Sequence, residues 1–378
     1  MAEIHLTVGA IAALPKNALQ ALMDNLVRMG YEVVGPKIKD DTVIYTTLTH
    51  IEELPRGYSS HQDAGTYRLE YTGSRNYFDI TPGPQSWKQY FFPSRTQIAS
   101  YKRDTANPHA WQVEETETTH LTYALIGVRP CELAAIQVQD RVFLRDDFKD
   151  PVYYARRQSA FILAVNCLHP CGTCFCASMG FGPEAESGYD LNLSELEEIF
   201  LVRIGSEAGR MAMMDLPLQP ASAYWIQAAN RGLEEARQNM GRSLPYPDEL
   251  RTILLENLDL RHYDNVAKRC LSCANCTLVC PTCFCWDVQD INNLTGNSSR
   301  RERIWDSCFN PEYSHVFGGN SRPSARSRYR QWITHKLAGW YQQFGTSGCV
   351  GCGRCITWCP AGIDITAEAA ALREEVHA

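Results

Sequence analysis

Hydrophobic residues near the start of the chain switch between helical and strand-like spacing. In residues 16–29 apolar side chains recur every three or four positions and Gly30 follows, which predicts a helix and its end. Shorter apolar runs at residues 31–34 and 42–48 predict strands. Residues 1–14 are also apolar, but they lack the basic residues that precede a signal-peptide core, so we expect a strand or helix there.

A βαβ unit is predicted in the middle of the chain. Residues 120–128 and 161–166 are short apolar runs rich in strand formers, and residues 133–143 between them have helical spacing. The usual handedness of such crossovers makes the two strands a parallel pair. Cys131 follows the first strand and Cys167 the second. Because sites in open α/β sheets form beyond the carboxyl ends of strands, we expect these two cysteines to be neighbours.

Helical spacing dominates the later part of the chain. Residues 222–239 predict a strong helix, and residues 247–266 predict helical structure that leads into a cysteine-rich run. Residues 194–203 predict a short helix followed by a strand.

Composition narrows the class of protein. The chain has 378 residues, of which 44% are hydrophobic and 21% charged, as in a globular protein with two or three domains. Its net charge of -7 argues against a nucleic-acid-binding protein, and its apolar runs are too short to predict a membrane span. Its 16 cysteines fall in tight clusters, unlike a disulfide framework, which favours a reducing, cytoplasmic location.

Two cysteine runs share one spacing. Residues 270–281 read C-L-S-C-A-N-C-T-L-V-C-P and residues 349–360 read C-V-G-C-G-R-C-I-T-W-C-P, so both fit C-x2-C-x2-C-x3-C-P. This is the spacing of two-cluster ferredoxins, in which three cysteines bind one [4Fe–4S] cluster and the fourth binds the other cluster. Zinc is the alternative, but a zinc site needs only four thiolates and does not explain two complete copies.

The crossed ligation of such ferredoxins divides the eight cysteines into two sets. We expect the first [4Fe–4S] cluster to be bound by Cys270, Cys273, Cys276 and Cys359. We expect the second to be bound by Cys349, Cys352, Cys355 and Cys280.

Five further cysteines are expected at one edge of the βαβ unit, enough for a third cluster. The preferred ligands are Cys131, Cys167, Cys174 and Cys176, with Cys171 as an alternate. A zinc site or a group of redox-reactive thiols is the alternative, and His169 could replace one thiolate.

A long insertion, residues 281–348, separates the two ferredoxin-like runs. It begins with a second T-C-F-C sequence and contains W-D-S-C. Its three cysteines, Cys283, Cys285 and Cys308, exceed the needs of the two clusters. Buried thiols beside the clusters are the preferred explanation, and the alternative is that one of them joins the third site.

The patterns together predict an α+β chain with two domains. Residues 1–215 are expected to form an α/β domain with a short parallel βαβ unit and a cysteine-rich edge. Residues 216–378 are expected to form a mainly α-helical, two-[4Fe–4S] ferredoxin-like domain that contains the insertion.

Several separate stretches resemble one family. They are G-V-R-P-C-E-L-A-A-I, T-C-F-C-A-S-M-G-F-G-P, the two ferredoxin-like runs with their flanks, W-D-S-C-F and G-P-Q-S-W-K. Together they resemble the iron–sulfur beta subunit of cytoplasmic, group 3b, sulfhydrogenase-type [NiFe] hydrogenases. They are equally similar to the 4Fe-4S dicluster subunit of anaerobic sulfite reductase.

The resemblance implies a subunit of a larger complex in which a separate flavin subunit handles NAD(P)H. We therefore expect an electron-transfer subunit that works between a flavin/NAD(P)H-binding subunit on one side and, on the other, a [NiFe] hydrogenase module or a sulfite reductase catalytic subunit. The chain has no G-x-G-x-x-G after a strand and no Walker loop, so we expect no flavin or nicotinamide site and no catalytic residues in it.

Two other hypotheses remain open at this point. The cysteines around Cys131, Cys167 and Cys174 could form a centre that reduces a sulfur compound, which would make the chain an enzyme. Alternatively, the clusters could serve only to hold the protein together.

Overall fold

The computed structural model describes residues 6–104, 106–107, 109–114 and 121–378. The strands are β1 (Ile11–Pro15), β2 (Glu32–Lys39), β3 (Thr42–Thr47), β4 (Tyr58–Asp63), β5 (Thr66–Tyr71), β6 (Arg95–Arg103), β7 (Trp111–Glu114), β8 (Tyr123–Val128), β9 (Phe161–Val165), β10 (Leu191–Glu195), β11 (Ile199–Ile204), β12 (Gln219–Pro220), β13 (Trp286–Asn292), β14 (Ser298–Trp305), β15 (His315–Val316) and β16 (Gly319–Asn320). The α-helices are α1 (Leu19–Arg28), α2 (Lys88–Phe91), α3 (Pro130–Phe143), α4 (Pro151–Ser159), α5 (Glu207–Ala212), α6 (Ala223–Gln238), α7 (Pro247–Glu256), α8 (His262–Arg269), α9 (Asn275–Leu278), α10 (Ala325–Thr334), α11 (Trp340–Phe344), α12 (Arg354–Thr357) and α13 (Ile365–His377).

An eight-stranded sheet forms the larger part of the first half, in the order β12-β1-β11-β10-β9-β8-β2-β3. Its four central strands, β2, β8, β9 and β10, pair in parallel, and the outer pairs are antiparallel. The predicted βαβ unit is confirmed, because β8 and β9 are parallel neighbours joined through α3 and α4. Every residue of β9 is buried, as expected for a parallel strand covered on both faces.

The sheet separates two hydrophobic cores. Alternate residues of β9 enter opposite cores: Leu163 packs with α1 on one face and Ile162 packs with α3 on the other. This follows from the two-residue period of side chains along a strand. The helix predicted from residue 16 is confirmed as α1, and Gly30 ends it with a positive φ of 91°.

Several boundaries differ from the sequence predictions. Residues 194–203 form the end of β10 and most of β11, so the helix predicted there is wrong. The antiparallel pairing of the two strands on the buried sheet overrides local helical spacing. His120 and residues 1–5 lie outside the described residues.

The helix predicted over residues 222–239 is confirmed as α6, whose N-cap Ser222 accepts a hydrogen bond from the Trp225 N–H.

A second sheet, in the order β13-β14-β6-β7, was not predicted. Its hairpin, β13–β14, belongs to the insertion, and β14 pairs with β6 from the first half of the chain. The two-domain division at residue 215 stays a prediction, but this sheet joins strands from both sides of it.

Helices of the second half surround the ferredoxin-like runs. Side chains of α7, α8, α10 and α13 share one hydrophobic core, and cysteines of both runs pack against it. The chain is thus a mixed α/β protein with a large sheet and a helical C-terminal part. Among the residues that the structure describes, no helix is long and apolar enough to cross a membrane.

Candidate iron–sulfur centres

The first predicted ligand set surrounds one cavity. Its wall includes Cys270, Cys273, Cys276 and Cys359, so the last cysteine comes from the second run. The structure therefore brings together the four residues that the crossed spacing grouped, although their role as ligands stays a prediction.

The second predicted set surrounds a neighbouring cavity. Its wall includes Cys280, Cys349, Cys352 and Cys355, with Cys280 supplied by the first run. Cys355 lines both cavities, which shows that the two sites are adjacent. Because each set of four cysteines converges on one cavity, these residues fit a pair of cubane clusters.

The two runs share one backbone conformation. Two residues between the cysteines are left-handed in each run: Ser272 (φ 51°) and Ala274 (φ 67°) in the first, Gly351 (φ 68°) and Gly353 (φ 74°) in the second. In each run the backbone N–H two residues after the first cysteine donates to its sulfur, at an N···S distance of 3.4 Å. Such hydrogen bonds stabilise a thiolate and raise the reduction potential of a cluster that it binds.

The surroundings of the two runs differ. In the first run Cys273 is exposed and Leu271 is 68% exposed. In the second run a Cβ at Gly353 would lie 2.4 Å from the Thr173 carbonyl oxygen, because this run packs against the N-terminal T-C-F-C segment. The Phe175 N–H also donates to the Gly351 carbonyl at 2.9 Å. The first site thus lies near the surface and the second lies inside the molecule.

Lys336 is a buried cation at the second site. Its Nζ donates to Cys280 Sγ (3.3 Å), Cys283 Sγ (3.2 Å) and Thr282 Oγ1 (2.9 Å). Burial disfavours its charge, but the neighbouring cysteines outweigh that effect and hold the pKa of Lys336 well above its usual range. The ammonium group therefore remains charged beside the second site.

Arg354 is a second buried cation, but its charge is paired. Both Arg354 and Glu132 have side chains 1% exposed, and Arg354 Nη2 lies 2.6 Å from Glu132 Oε1. Tyr45 donates its hydroxyl to the other carboxylate oxygen at 2.7 Å, and Arg354 Nε donates to the Gly83 carbonyl at 3.0 Å. Burial and Glu132 together raise the pKa of Tyr45 well above its usual range, so this hydroxyl remains a donor. The network ties the second run to β3 and α3.

The G-P-Q-S-W-K segment provides Lys88, which contacts the backbone near the end of the first run. Lys88 Nζ donates to the Leu278 and Cys283 carbonyl oxygens, at 3.4 and 3.2 Å. It also lies 3.9 Å from the centre of the Trp305 ring. Burial is the main cause that lowers the pKa of Lys88, to about 8. Lys88 therefore connects the first half of the chain to the end of the first run.

The five N-terminal cysteines lie close to one another beside the second run. Cys171 Sγ is 3.1 Å from Cys174 Sγ, and the contact lowers the pKa of Cys171 to about 6 while raising that of Cys174. Cys176 packs with Cys131 in one core cluster and also lies near Cys167. The expected neighbours Cys131 and Cys167 are thus connected through Cys176.

The predicted third ligand set is brought together, but its assignment stays a prediction. Cys171 is as close to the set as its members are, so geometry does not separate it from Cys174. His169 points to solvent, with a side chain 65% exposed and Nε2 3.6 Å from Asp79 Oδ1. Among the described residues, no three His, Cys, Asp or Glu side chains are grouped closely enough to hold a single metal ion, the arrangement a zinc site needs.

The cysteines of the insertion are not packed as predicted. Cys283, Cys285 and Cys308 are each partly exposed, and all three line an open cavity of about 550 Å³. The expectation of fully buried thiols is therefore wrong, whereas their expected position beside the two ferredoxin-like sites is confirmed.

Sequence reasoning missed three of the charged residues around the second site. Arg354, Glu132 and Lys88 all lie inside the stretches that carry the family resemblance. Their partners are distant in sequence, as in the Arg354–Glu132 pair with a separation of 222 residues. The signal available in the sequence was a charged residue inside a family-specific stretch, which could have indicated a buried role for that charge.

Comparisons with known proteins agree with this geometry. A family model described as a 4Fe-4S dicluster domain matches residues 269–363, which include both runs. The chain is also similar to sulfhydrogenase 2 subunit beta of Pyrococcus furiosus, with 30% identity over 325 residues that cover 84% of this chain and 92% of the relative.

The chain belongs to the sulfhydrogenase beta subunit family.

No solved structure matches the chain. Membership of the sulfhydrogenase beta subunit family, together with the dicluster domain, identifies an iron–sulfur subunit that serves in electron transfer. It confirms the resemblance drawn from the separate sequence stretches.

Proposed function

We propose that this chain relays electrons between a [NiFe] hydrogenase module and a flavin/NAD(P)H-binding subunit of one complex. The observation that supports this most strongly is the adjacency of two four-cysteine sites, which share Cys355 in their walls. The name of the Pyrococcus relative places that protein in a hydrogenase complex, and we extend this to the present chain.

The proposed ligands are the two crossed sets. Cys270, Cys273, Cys276 and Cys359 would hold one [4Fe–4S] cluster, and Cys280, Cys349, Cys352 and Cys355 the other. When bound, these clusters supply one-electron transfer. The protein supplies the thiolates, the backbone N–H groups that donate to Cys270 and Cys349, and the buried Lys336 charge.

A third cluster at the N-terminal edge forms part of the proposal. Cys131, Cys167, Cys174 and Cys176 remain the preferred ligands, with Cys171 as the alternate. Their segment packs directly on the second run, where Gly351 leaves no room for a Cβ against the Cys176 backbone. A cluster there would extend the electron relay from the second site toward the eight-stranded sheet.

The exposed first run supports a docking role. Leu271 and Cys273 place the first site near the surface, whereas the second site lies inside the molecule. We propose that one partner subunit covers this run, since electron transfer requires a short path between centres.

The test is a complex purified anaerobically through a tag on this chain. We expect both a nickel-containing and a flavin subunit to co-purify, and NAD(P)H to reduce the clusters only in their company. In a Cys273→Ser complex, NAD(P)H-driven hydrogen evolution should fall strongly, while evolution from an artificial dye that reduces the nickel subunit directly should continue.

Two results would contradict the proposal. Rapid NAD(P)H oxidation by the isolated chain would show that it contains its own nucleotide site. Co-purification of a sulfite-reducing catalytic subunit in place of the nickel subunit would assign the chain to an anaerobic sulfite reductase.

A further inference from the structure

Three cysteines that the two ferredoxin-like sites do not use line the same open cavity. Cys283, Cys285 and Cys308 contribute to a cavity of about 550 Å³, well within the range of roughly 300–1,000 Å³ for pockets that bind small molecules and cofactors. Free cysteines are usually among the most buried residues, but all three are partly exposed here. Their placement therefore needs an explanation other than packing.

The β13–β14 hairpin brings two of these thiols together. Cys285 directly precedes β13, and Cys308 follows shortly after β14. At the open end of the hairpin Trp286 pairs with Trp305, and the Asp306 N–H donates to the Cys285 carbonyl at 2.9 Å. The thiols of Cys285 and Cys308 are in contact as a result, and the Tyr313 hydroxyl contacts Cys285.

The third thiol and the nearby charges complete a site for an anionic group. Lys336 Nζ lies 3.2 Å from Cys283 Sγ, and Arg322 lines the same cavity. Cationic side chains compensate the negative charge of thiolates bound to iron, which a partly buried site would otherwise disfavour. The site also adjoins both ferredoxin-like sites, because Lys336 contacts Cys280 and Cys308 lies close to Cys276.

The local sequence occurs twice in the chain. Residues 171–176 and 280–285 both read C-x-T-C-F-C. In both copies the threonine hydroxyl lies beside the first sulfur, at 3.4 Å in the first copy and 3.2 Å in the second. In both copies the last cysteine meets a cysteine that is distant in sequence, Cys131 for Cys176 and Cys308 for Cys285. The chain thus builds the same kind of cysteine cluster at two places.

We propose that Cys283, Cys285 and Cys308 bind a further [4Fe–4S] cluster in this cavity. Three thiolates leave one iron without a cysteine, and that iron would face the open cavity. The inference goes beyond the proposed relay, because it assigns a site at which a small molecule could reach iron.

The first test measures iron in the full-length chain after anaerobic reconstitution. The Cys285→Ser/Cys308→Ser double variant should contain about four fewer iron atoms and sulfides per chain than the unmodified protein. The EPR signals of the two ferredoxin-like clusters should be retained, which also shows that the variant is folded. Gln331→Ala, which changes the wall of the same cavity without removing a thiol, should keep all its iron. Equal iron in the double variant and the unmodified protein would overturn the proposal.

The second test needs no substitution. In the iron-loaded chain Cys285 and Cys308 should resist alkylation by iodoacetamide, and anaerobic removal of iron with a chelator should make both reactive, as read by mass spectrometry of peptides. Alkylation of both thiols in the loaded protein, or a disulfide between them, would contradict the site. Neither test depends on electron relay, so failure here leaves the proposed function standing.

Discussion

The two ferredoxin-like runs have the same spacing and backbone but lie in different surroundings. The first run has Ser272 and Ala274 at its two left-handed positions, and both residues are only half-buried. The second run has glycines there, since a Cβ at Gly351 would lie 2.6 Å from Cys176 Cα. Cysteine spacing therefore determines the type of cluster that a run can bind. The packing around the run determines how deeply that cluster is buried and which charged side chains lie beside it.

The largest expected effect concerns the buried ion pair of the second run. Arg354→Met leaves the Glu132 carboxylate buried without its partner, so the protein should lose about 3–5 kcal/mol of stability. Chemical denaturation of the iron-loaded chain measures this. The double variant Glu132→Gln/Arg354→Met should recover part of the loss, because it buries no unpaired charge. Equal stability of Arg354→Met and the unmodified chain would show that the buried Arg354–Glu132 pair does not stabilise the second run.

A smaller loss is expected when the left-handed glycine of the second run gains a side chain. Gly353→Ala places a Cβ 2.4 Å from the Thr173 carbonyl oxygen at a φ of 74°, which should cost roughly 2–4 kcal/mol and reduce iron at the second site. The matched change in the first run, Ala274→Gly, should alter stability by less than about 1 kcal/mol. Denaturation and iron content test both. A large loss of stability in Ala274→Gly would show that packing does not distinguish the two runs.

The buried charge of Lys336 at the second site should raise that cluster's reduction potential. A cation about 7 Å from a cluster centre contributes about 2 kcal/mol at an effective dielectric constant of ~20, or on the order of 100 mV. Lys336→Met should lower the potential of one cluster by about that amount in an EPR-monitored titration. Lys268→Met, at the exposed end of α8 before the first run, should shift neither potential appreciably. Similar shifts from both variants would contradict the role assigned to Lys336.

The smallest effect on stability is expected at the surface of the first run. Leu271→Ser changes a side chain that is 68% exposed, so stability should stay within about 0.5 kcal/mol. Electron exchange with the partner subunit should nevertheless slow, if this run forms the docking surface. Unchanged exchange rates in stopped-flow measurements would place the docking surface elsewhere.

Local sequence patterns predicted the parts of the molecule that depend on near neighbours. The helix after residue 16, the parallel strands β8 and β9, and the grouping of cysteines all follow from short-range spacing. The four-stranded sheet was missed because β14 pairs with β6, which lies about 200 residues earlier in the chain. The roles of Arg354 and Lys88 were missed for a similar reason, because their partners are brought together only when distant segments pack.

The crossed ligation of two clusters is the central claim, and Cys359→Ser tests it most directly. Each cluster is first assigned by its EPR signal in Cys273→Ser and in Cys352→Ser. Crossed ligation predicts that Cys359→Ser, although it changes the second run, alters the signal affected by Cys273→Ser and leaves the other intact. An altered Cys352-dependent signal with the Cys273-dependent one unchanged would contradict the crossed arrangement.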